Sequence, residues 1–316
     1  MGMKKVVKNQ SVGIKVMVFG ESGCGKSFFG LTFPKIAAFD TELGLQFYMG
    51  KDIEIGGKIY NNLEFISSGV DIDEIEETLD EILDGEYDCK TVVIDSESKI
   101  HIASEIASAE VEERKAKMGG KATDTRAKWG RVRNTTMKLS QKKLTLSAKG
   151  YNYVEVCQQK ELKDDNGKIL GYQPVCHSTR TYDFDVVMRM YTEVDKKTNT
   201  KRYFAHILKD RTETFAPETI VENVTYDMFA SAIEGRTGGA VDANFDKDLN
   251  STKKSILSDS EKSTDLAEEI KALIKNNKEH ISDIKKKLDE HSIDVKRLDV
   301  ATPEVLMEIK KFIESL

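Results

Sequence analysis

The segment from Gly20 to Ser27, GESGCGKS, matches the pattern G-x-x-x-x-G-K-[ST] at every fixed position. An apolar run, IKVMVF, precedes this segment, and an apolar helical start, FFGLT, follows it. A strand, a glycine-rich loop and a helix in this order form the phosphate-binding loop of nucleotide-binding proteins. The sequence therefore predicts an α/β fold with a nucleotide at the carboxyl end of the first strand.

The residues of this loop are predicted to contact ATP. Lys26 supplies a positive charge to the β and γ phosphates, and Ser27 supplies its hydroxyl to Mg²⁺. The glycines allow backbone N–H groups to close on phosphate oxygens. The predicted ATP contacts are Gly20, Glu21, Ser22, Gly23, Cys24, Gly25, Lys26, Ser27 and Phe28.

Two acidic residues at strand ends are predicted to complete a magnesium-dependent ATPase site. Asp95 follows the apolar run TVVI and is predicted to orient the magnesium shell, with a helix-capping role as the alternative. Glu42 follows the run IAAF and is predicted to act as general base on the attacking water. The alternative for Glu42 is a solvated surface glutamate.

Apolar runs alternate with helical patterns along the first half of the chain. Short strands are predicted at residues 14–19, 36–39, 63–66, 91–94 and 153–157, and the pattern IxxIxxxLxxIL over residues 72–83 predicts an amphipathic helix. Strands that alternate with helices indicate a mostly parallel sheet flanked by helices. Residues 186–192 and 203–208 flank a polar turn, which predicts a hairpin at the sheet edge.

Composition divides the chain into three parts. Residues 1–235 contain the strand and helix alternation and form the predicted nucleotide-binding core. Residues 236–263 are poor in aromatics and rich in Gly, Ser, Asp and Asn, which predicts a flexible linker. Residues 264–316 have apolar positions at helical spacing, which predicts a small bundle of three helices.

The net charge of −6 is distributed unevenly. Between Arg114 and Lys149 there are twelve basic residues and one acid, so this segment carries +11 and the remainder −17. A basic track that contains an aromatic side chain, here the lone tryptophan Trp129, is typical of a single-stranded DNA site. The alternative is a solvated basic helix with Trp129 in the core. The predicted DNA contacts are Lys121, Arg126, Lys128, Trp129, Arg131 and Arg133.

Other classes of protein are disfavoured by residue spacing. The four cysteines are far apart, and the five histidines have no metal-ligand spacing, so neither a disulfide framework nor a zinc site is indicated. No apolar run approaches the roughly 20 residues that span a bilayer, and the lysine-containing start lacks the apolar stretch of a secretory signal. We therefore expect a cytoplasmic protein.

Five short motifs resemble those of RecA-like ATPases, and more narrowly of phage-encoded RecA-like ATP-binding proteins implicated in single-strand annealing and recombination. GESGCGKS is similar to their Walker A segment, FDTE to the segment bearing the catalytic glutamate, and TVVIDS to the Walker B strand. VCQQ is similar to the strand-end segment with the glutamine that senses the γ phosphate. KDR, from Lys209 to Arg211, resembles the basic pair that RecA proteins insert into a neighbouring subunit's ATP site.

The resemblance implies a RecA-like core over residues 14–235. It implies Glu42 as the base, Gln159 as the γ-phosphate sensor, and Lys209 and Arg211 as catalytic groups acting between subunits. A homo-oligomer with ATP at subunit interfaces, single-stranded DNA as ligand and a host-cytoplasm location for a phage product follow from it. The C-terminal bundle is then a candidate contact for a single-strand-binding protein.

Several alternatives remain open at the level of sequence. The alternative for Lys209 and Arg211 is a surface turn that carries two basic residues. The whole chain also fits a helicase-type motor or helicase loader, or a nucleotide-gated scaffold with little turnover, because P-loop folds carry many activities.

Overall fold

The structure is a computed structural model that describes residues 10–119, 122–234, 238–241, 243–277, 280–291, 293–295, 298 and 301–316. It divides into two compact units, Met1–Phe245 and Asp246–Leu316. The predicted DNA contact Lys121 and the predicted domain boundary after residue 235 lie outside the described residues.

Strands and helices alternate through the first unit, as the sequence predicts. The strands are β1 Gln10–Ser11, β2 Lys15–Gly20, β3 Ile36–Asp40, β4 Ile53–Ile55, β5 Lys58–Tyr60, β6 Leu63–Ser68, β7 Thr91–Asp95, β8 Asn152–Lys163, β9 Ile169–Pro174, β10 Val186–Val194, β11 Lys201–Asp210, β12 Ile220–Glu222 and β13 Gly238–Ala240. The helices are α1 Lys26–Leu31, α2 Ile72–Asp84, α3 Glu97–Gly119, α4 Thr125–Ala148, α5 Asp227–Ile233, α6 Phe245–Asn276, α7 Ile281–Glu290 and α8 Pro303–Glu314. Short 3-10 helices lie at Leu45–Tyr48 and Arg180–Asp183.

The main sheet has the order β12-β11-β10-β2-β8-β7-β3-β6, and β9 pairs with the outer part of β8. The six strands from β10 to β6 in this order are parallel, whereas β11, β12 and β9 pair antiparallel. The predicted α/β fold with a mostly parallel sheet is confirmed. Strand β8 lies between the strand that ends in the glycine loop and the strand that ends in Asp95, so all three strand ends meet at one edge.

Helices cover both faces of the sheet because its central strands are apolar on both sides. On one face, α1 and α5 pack through Phe29, Leu31 and Phe229 against Val16, Val18 and other strand residues. On the other face, α2, α3 and α4 pack against Met17, Phe19 and Val92 through Leu79, Ile100, Leu139 and Leu146. Both faces are therefore mostly apolar, although the second face also holds the buried carboxylate of Glu155 on β8.

Helix α2 shows how local sequence sets an element. Asp71 caps its first turn by accepting hydrogen bonds from the backbone N–H groups of Asp73 and Glu74, at 3.0 and 3.3 Å. Gly85 ends the helix in the left-handed region, with a φ of 85°. The sequence pattern over residues 72–83 therefore predicts this helix correctly.

Two expectations differ from the structure. The predicted hairpin forms from β10 and β11, but β12 pairs with β11, so the hairpin is not the edge of the sheet. The segment 236–263, predicted as a flexible linker, is helical from Phe245 onward as part of α6. The polar composition of that segment suits a solvated helix as well as a linker, because Lys, Glu, Asp and Ser do not by themselves interrupt a helix.

The second unit has its own core. The later turns of α6 pack with α7 and α8 through Ile270, Ile284, Leu288, Leu306 and Ile309, which are all fully or almost fully buried. The three predicted C-terminal helices are confirmed. In the part of the chain that the structure describes, no helix combines the length and apolar character needed to cross a membrane.

Candidate active site

The glycine loop has a backbone that only glycine accommodates at several positions. Gly23 and Gly25 have φ values of 69° and 91°, in the left-handed region that glycine adopts without a steric penalty. A Cβ atom at Gly20 would lie 2.1 Å from the carbonyl oxygen of Met190 on β10. The loop therefore passes tightly from β2 to α1, and α1 begins at Lys26 with its first N–H groups at the strand end.

Lys26 lies folded across this loop. Its Nζ atom donates hydrogen bonds to the carbonyl oxygens of Gly20 and Glu21, at 3.0 and 2.6 Å. These partners hold the ammonium beside the backbone N–H groups that are suited to phosphate oxygens. Phosphate oxygens are stronger acceptors than peptide carbonyls, so a bound triphosphate can take the ammonium from the loop.

A second lysine contacts the loop from far along the chain. Lys201, at the start of β11, donates a hydrogen bond from Nζ to the carbonyl oxygen of Gly23 at 2.9 Å. No motif marks this lysine in the sequence. The contact arises because β10 continues from Met190, which pairs with Gly20, to Val194, and β11 folds back antiparallel to it, so that the first residues of β11 reach the glycine loop.

Asp95 and Ser27 form the predicted magnesium position. Asp95 is only 7% exposed, and burial raises the pKa of its carboxyl to about 6. A hydrogen bond from Ser27 and the charge of Lys26 lower this pKa, whereas the charges of Glu42 and Asp40 raise it. A buried carboxylate crowded by two further acids is stabilised by a cation, and a hydroxyl beside a carboxylate suits Mg²⁺. The residues at this position therefore fit a magnesium ion held jointly with phosphate oxygens.

Glu42 is held at the neighbouring strand end by two side chains. Its Oε1 atom accepts hydrogen bonds from the Ser96 hydroxyl at 2.7 Å and from Gln158 Nε2 at 2.9 Å. Asp40 fixes the turn after it, because its carboxylate accepts from the backbone N–H groups of Gly44 and Leu45 at 3.0 and 2.9 Å. Glu42 thus lies with Asp95 and the glycine loop at a single edge of the sheet.

The two glutamines of the VCQQ segment have different partners. Gln158 contacts Glu42, whereas Gln159 donates to the Glu21 carboxylate at 3.2 Å and accepts from Arg189 at 3.0 Å. Adjacent residues on a strand point to opposite faces, so only one of the two can reach Glu42. The glutamine next to the predicted base is therefore Gln158, and Gln159, the predicted sensor, contacts the glycine loop instead.

The comparisons with known proteins agree with this geometry. A family model described as an AAA domain matches residues 12–218, which include every strand end described above. The chain belongs to the AAA domain family. This family assignment confirms the P-loop ATPase type that the motifs predict.

Similarity outside the family match is low. A KaiC-like protein from the hyperthermophilic archaeon Pyrococcus horikoshii OT3 is similar in structure, with a TM-score of 0.40 and 15% sequence identity. The similarity covers 67% of this chain and 85% of that protein. No curated protein sequence matches the chain.

In this AAA domain, Lys209 and Arg211 lie at the opposite end of the strands from the glycine loop of the same subunit. Lys209 pairs with Val187 near the start of β10, whereas Gly20 pairs with Met190 farther along that strand. Lys209 Nζ donates to the carbonyl oxygens of Thr181 and Tyr182, at 3.2 and 3.1 Å. The pair therefore cannot reach the phosphate site of its own subunit, and action in a neighbouring subunit stays a prediction.

The basic segment of the AAA domain is partly neutralised by acids of α2 and α3. Arg131, a predicted DNA contact, forms an ion pair with Glu112 of α3. Lys138 pairs with Glu76 at 3.1 Å, and Lys142 pairs with Asp80. The charge count made from the sequence covered only residues 114–149, so it left out these acids of the neighbouring helices. Arg131 therefore has a structural partner, in contrast to its predicted role as a phosphate contact.

The first turns of α4 remain open to solvent. Trp129 is 46% exposed, so the alternative of a core tryptophan is wrong. Arg126 and Arg133 are exposed, and Lys128 Nζ lies 4.9 Å above the Trp129 ring. These side chains therefore form an exposed basic and aromatic surface.

This surface extends beyond the end of the sheet at which the glycine loop, Glu42 and Asp95 lie. Helix α4 ends just before β8 starts, so it runs antiparallel to β8. The Thr136 carbonyl accepts from Arg180, which binds Glu155 midway along the main-sheet part of β8. From Thr136 back to Thr125 the helix rises about 16 Å, whereas the strand from Glu155 to Gln158 covers about 10 Å. The start of α4 therefore lies beyond the end of the strand.

A buried charge cluster beneath the site has no counterpart among the motifs. Arg180 is 1% exposed and binds Glu155 through two hydrogen bonds, and its guanidinium also lies 3.2 Å from Glu97. Burial raises the pKa of Glu97, although the charge of Arg180 opposes this shift. Because Glu97 begins α3 directly after Ser96, the cluster fixes the start of that helix beside the site. These residues are far apart in sequence, so only their burial in the fold reveals the cluster.

Proposed function

We propose that the chain hydrolyses ATP, with Glu42 as general base. The position of the Glu42 carboxylate carries this proposal, since it is fixed by Ser96 and Gln158 at the strand ends next to Asp95 and the glycine loop. Two hydrogen-bond donors hold this carboxylate in one orientation, and a general base must be held in position to accept a proton. The scaffold alternative, with its little turnover, does not need such a fixed carboxylate.

The reaction follows from these positions. A water oxygen attacks the γ phosphorus, and Glu42 accepts a proton of the water. The bond between the γ phosphorus and the oxygen that bridges the β and γ phosphates breaks. Lys26 leaves the carbonyls of Gly20 and Glu21 and neutralises charge on the phosphate oxygens. Magnesium, held by Ser27 and Asp95, supplies further charge neutralisation when bound. The leaving group is ADP, and the products are ADP and inorganic phosphate.

We further propose that the first turns of α4 bind single-stranded DNA. The exposed Trp129 supplies a stacking surface, and Arg126 and Arg133 supply charge for phosphate contacts. Their location beyond the glycine-loop end of the sheet supports a DNA-stimulated ATPase that acts in annealing and recombination, as in the phage-encoded proteins that the motifs resemble. Docking of a single-strand-binding protein on residues 264–316 stays a prediction.

Charge and stacking at α4 predict different salt dependences. Replacing both Arg126 and Arg133 with Ala should weaken binding to all single strands and flatten the plot of log affinity against log salt, by about 0.7 per lost contact. Trp129→Ala should weaken binding by about 1–3 kcal/mol per stacked base while leaving the slope unchanged. ATP turnover with and without single-stranded DNA, across a salt series, measures the coupling.

The matched control for these variants is Lys138→Ala, because Lys138 also lies on α4 but is paired with Glu76 of α2. This control should bind DNA as the wild type does. Wild-type affinity in both the Arg and Trp variants, with unchanged thermal unfolding, would show that α4 is only a solvated face.

The predicted action of Lys209 and Arg211 between subunits has its own test. Lys209→Ala and Arg211→Ala should each lower turnover without weakening ATP binding, because both side chains lie away from the subunit's own loop. Mixing either variant with Lys26→Ala protein should restore part of the turnover, since one intact site then meets one intact basic pair. Lys197→Ala, in the turn between β10 and β11, is the control. Turnover that is normal in both single variants would rule out a catalytic role for the pair.

A further inference from the structure

The two serines on either side of Glu97, at the start of α3, hold the two hydrogen-bond donors that fix the Glu42 carboxylate. Ser96 is one of these donors itself. The other donor, Gln158, is held by Ser98, whose Oγ atom accepts from the Gln158 backbone N–H at 2.9 Å. The position of the short segment from Ser96 to Ser98 therefore decides where the Glu42 carboxylate lies.

The backbone of this segment is also tied to the residue that precedes Glu42. The Ser96 backbone N–H donates to Thr41 Oγ1 at 2.7 Å, and the Thr41 hydroxyl donates to the Ser96 carbonyl oxygen at 3.0 Å. The Thr41 backbone N–H donates to the carbonyl oxygen of Asp95 at 2.7 Å. A displacement of the segment would thus move the backbone of Glu42 together with the partners of its side chain.

The side chain of Glu97 contacts the buried charge cluster rather than Glu42. It is 2% exposed, and Arg180 Nη2 lies 3.2 Å from its Oε2 atom. A buried carboxylate is costly without a cation beside it, because burial removes the water that would otherwise stabilise its charge. The ion pair with Arg180 therefore fixes Glu97, and with it the two serines next to it.

Arg180 is held by three elements at once. It binds the two carboxylate oxygens of Glu155 on β8, and its Nη1 atom donates to the Thr136 carbonyl oxygen of α4 at 3.4 Å. The contact with Glu97 adds the start of α3. A planar guanidinium with five N–H donors can make these contacts together, whereas the point charge of a lysine ammonium cannot. Arg180 is therefore a rigid connection between β8, α4 and α3.

The short 3-10 helix that carries Arg180 is itself fixed against α4. Lys143 Nζ, on α4, lies 3.5 Å from the carboxylate of Asp183 in this short helix. The same atom lies 4.0 Å from the centre of the Phe184 ring, which is fully buried in the core of this face of the sheet. The anchor of Glu97 is thus built into the core of the domain.

Arg180 lies away from the position of the substrate. Its partner Glu155 precedes Gln158 by three residues, which is about 10 Å along β8. The guanidinium is directed at Glu155, Glu97 and α4. A role of Arg180 in the reaction therefore acts through these neighbours and not by contact with the phosphates.

We propose that Arg180 is a positioning residue for hydrolysis, which sets the Glu42 carboxylate through Glu97 and the two serines. The proposal rests on the proposed function, because Arg180 has this role only if Glu42 is the base. A displacement of a catalytic group by about 1 Å can slow a reaction on the order of 100-fold. Loss of the contact between Arg180 and Glu97 should therefore slow hydrolysis, whereas ATP binding, which depends on the glycine loop, should be unchanged.

Two variants break this contact and keep a cation beside Glu155, so both are expected to fold. They are Arg180→Lys and Glu97→Ala. Each should hydrolyse ATP on the order of 10- to 100-fold more slowly in a single turnover, with the wild-type ATP affinity in calorimetry. Leu139→Ala is the control, because it leaves a cavity in the core under α4 and lowers the melting temperature without removing a charge. The control should hydrolyse ATP at the wild-type rate.

A double-mutant cycle with Glu42→Gln separates a role through Glu42 from a general loss of structure. Residual hydrolysis in Glu42→Gln protein does not use the carboxylate, so adding Arg180→Lys should slow it by no more than about twofold. If the two losses multiply instead, Arg180 acts on another group and the proposal is wrong. If Arg180→Lys does not fold, Glu97→Ala, which keeps the pair of Arg180 and Glu155, takes its place in the cycle.

Wild-type hydrolysis in both Arg180→Lys and Glu97→Ala would overturn the positioning role alone. An equal loss in Leu139→Ala would also overturn it, because any destabilised core would then have the same effect. Wild-type hydrolysis in Glu42→Gln is a separate result, which would overturn the proposed base and the role of Arg180 with it.

Discussion

Lys26→Ala protein is expected to lose ATP binding by on the order of 100-fold or more, because removal of a charged partner of phosphate costs several kcal/mol. The fold should survive this change, since Lys26 Nζ donates to groups of its own loop, the carbonyl oxygens of Gly20 and Glu21 and the Cys24 sulfur. Calorimetry measures the affinity. Thermal unfolding with ATP should show ligand stabilisation in the wild type and almost none in the variant.

Lys115→Ala is the control for this prediction, because Lys115 lies exposed on α3 and replacement removes the same charge. It should bind ATP as the wild type does. Equal ATP affinity in the wild type and Lys26→Ala would exclude the glycine loop as the phosphate site.

Glu42→Gln protein is expected to bind ATP and to hydrolyse it about 10²- to 10⁴-fold more slowly than the wild type. The amide keeps the shape of the side chain but cannot accept a proton from water at neutral pH. Single-turnover phosphate release measures the chemical step, and calorimetry measures binding. Glu64→Gln, an exposed glutamate on β6, makes the same chemical change away from the site and should leave both unchanged.

A hydrolysis rate in Glu42→Gln within a few-fold of the wild type would place the base elsewhere. Loss of ATP binding in the same variant would instead show that the Glu42 carboxylate supports the glycine loop.

Local patterns in the sequence predict the elements that build the site. The glycine loop needs left-handed backbone at Gly23 and Gly25, and only a few residue types allow it, so the motif fixes the geometry. Asp95 and Glu42 follow apolar strands, and the carboxyl ends of parallel strands share one edge. Their proximity therefore follows from strand order alone.

The sequence interpretation named Gln159 as the γ-phosphate sensor, and a motif match does not show which of two adjacent glutamines faces Glu42. Val154 and Val156 pack on the α1 face, whereas Tyr153 and Cys157 pack on the opposite face. Counting this alternation onward from Val156 assigns Gln158 to the α1 side. A shift of one residue reverses every side chain of a strand, so residue type alone could not decide.

Contacts between distant segments could not be predicted from spacing. Lys201 reaches Gly23 only because β11 folds back beside β10, and the sequence around Lys201 is an ordinary polar turn. The ion pair between Arg131 and Glu112 depends on how α3 packs on α4. Charge counted along one segment therefore overstated the free positive charge of α4.

The identity of the nucleotide that remains bound after incubation with ATP and magnesium tests the central claim most directly. Protein separated from free nucleotide, denatured and analysed by chromatography should yield ADP from the wild type and ATP from Glu42→Gln. Lys26→Ala should yield almost none. ATP recovered unchanged from the wild type, with no phosphate released in the presence or absence of single-stranded DNA, would contradict ATP hydrolysis at this site.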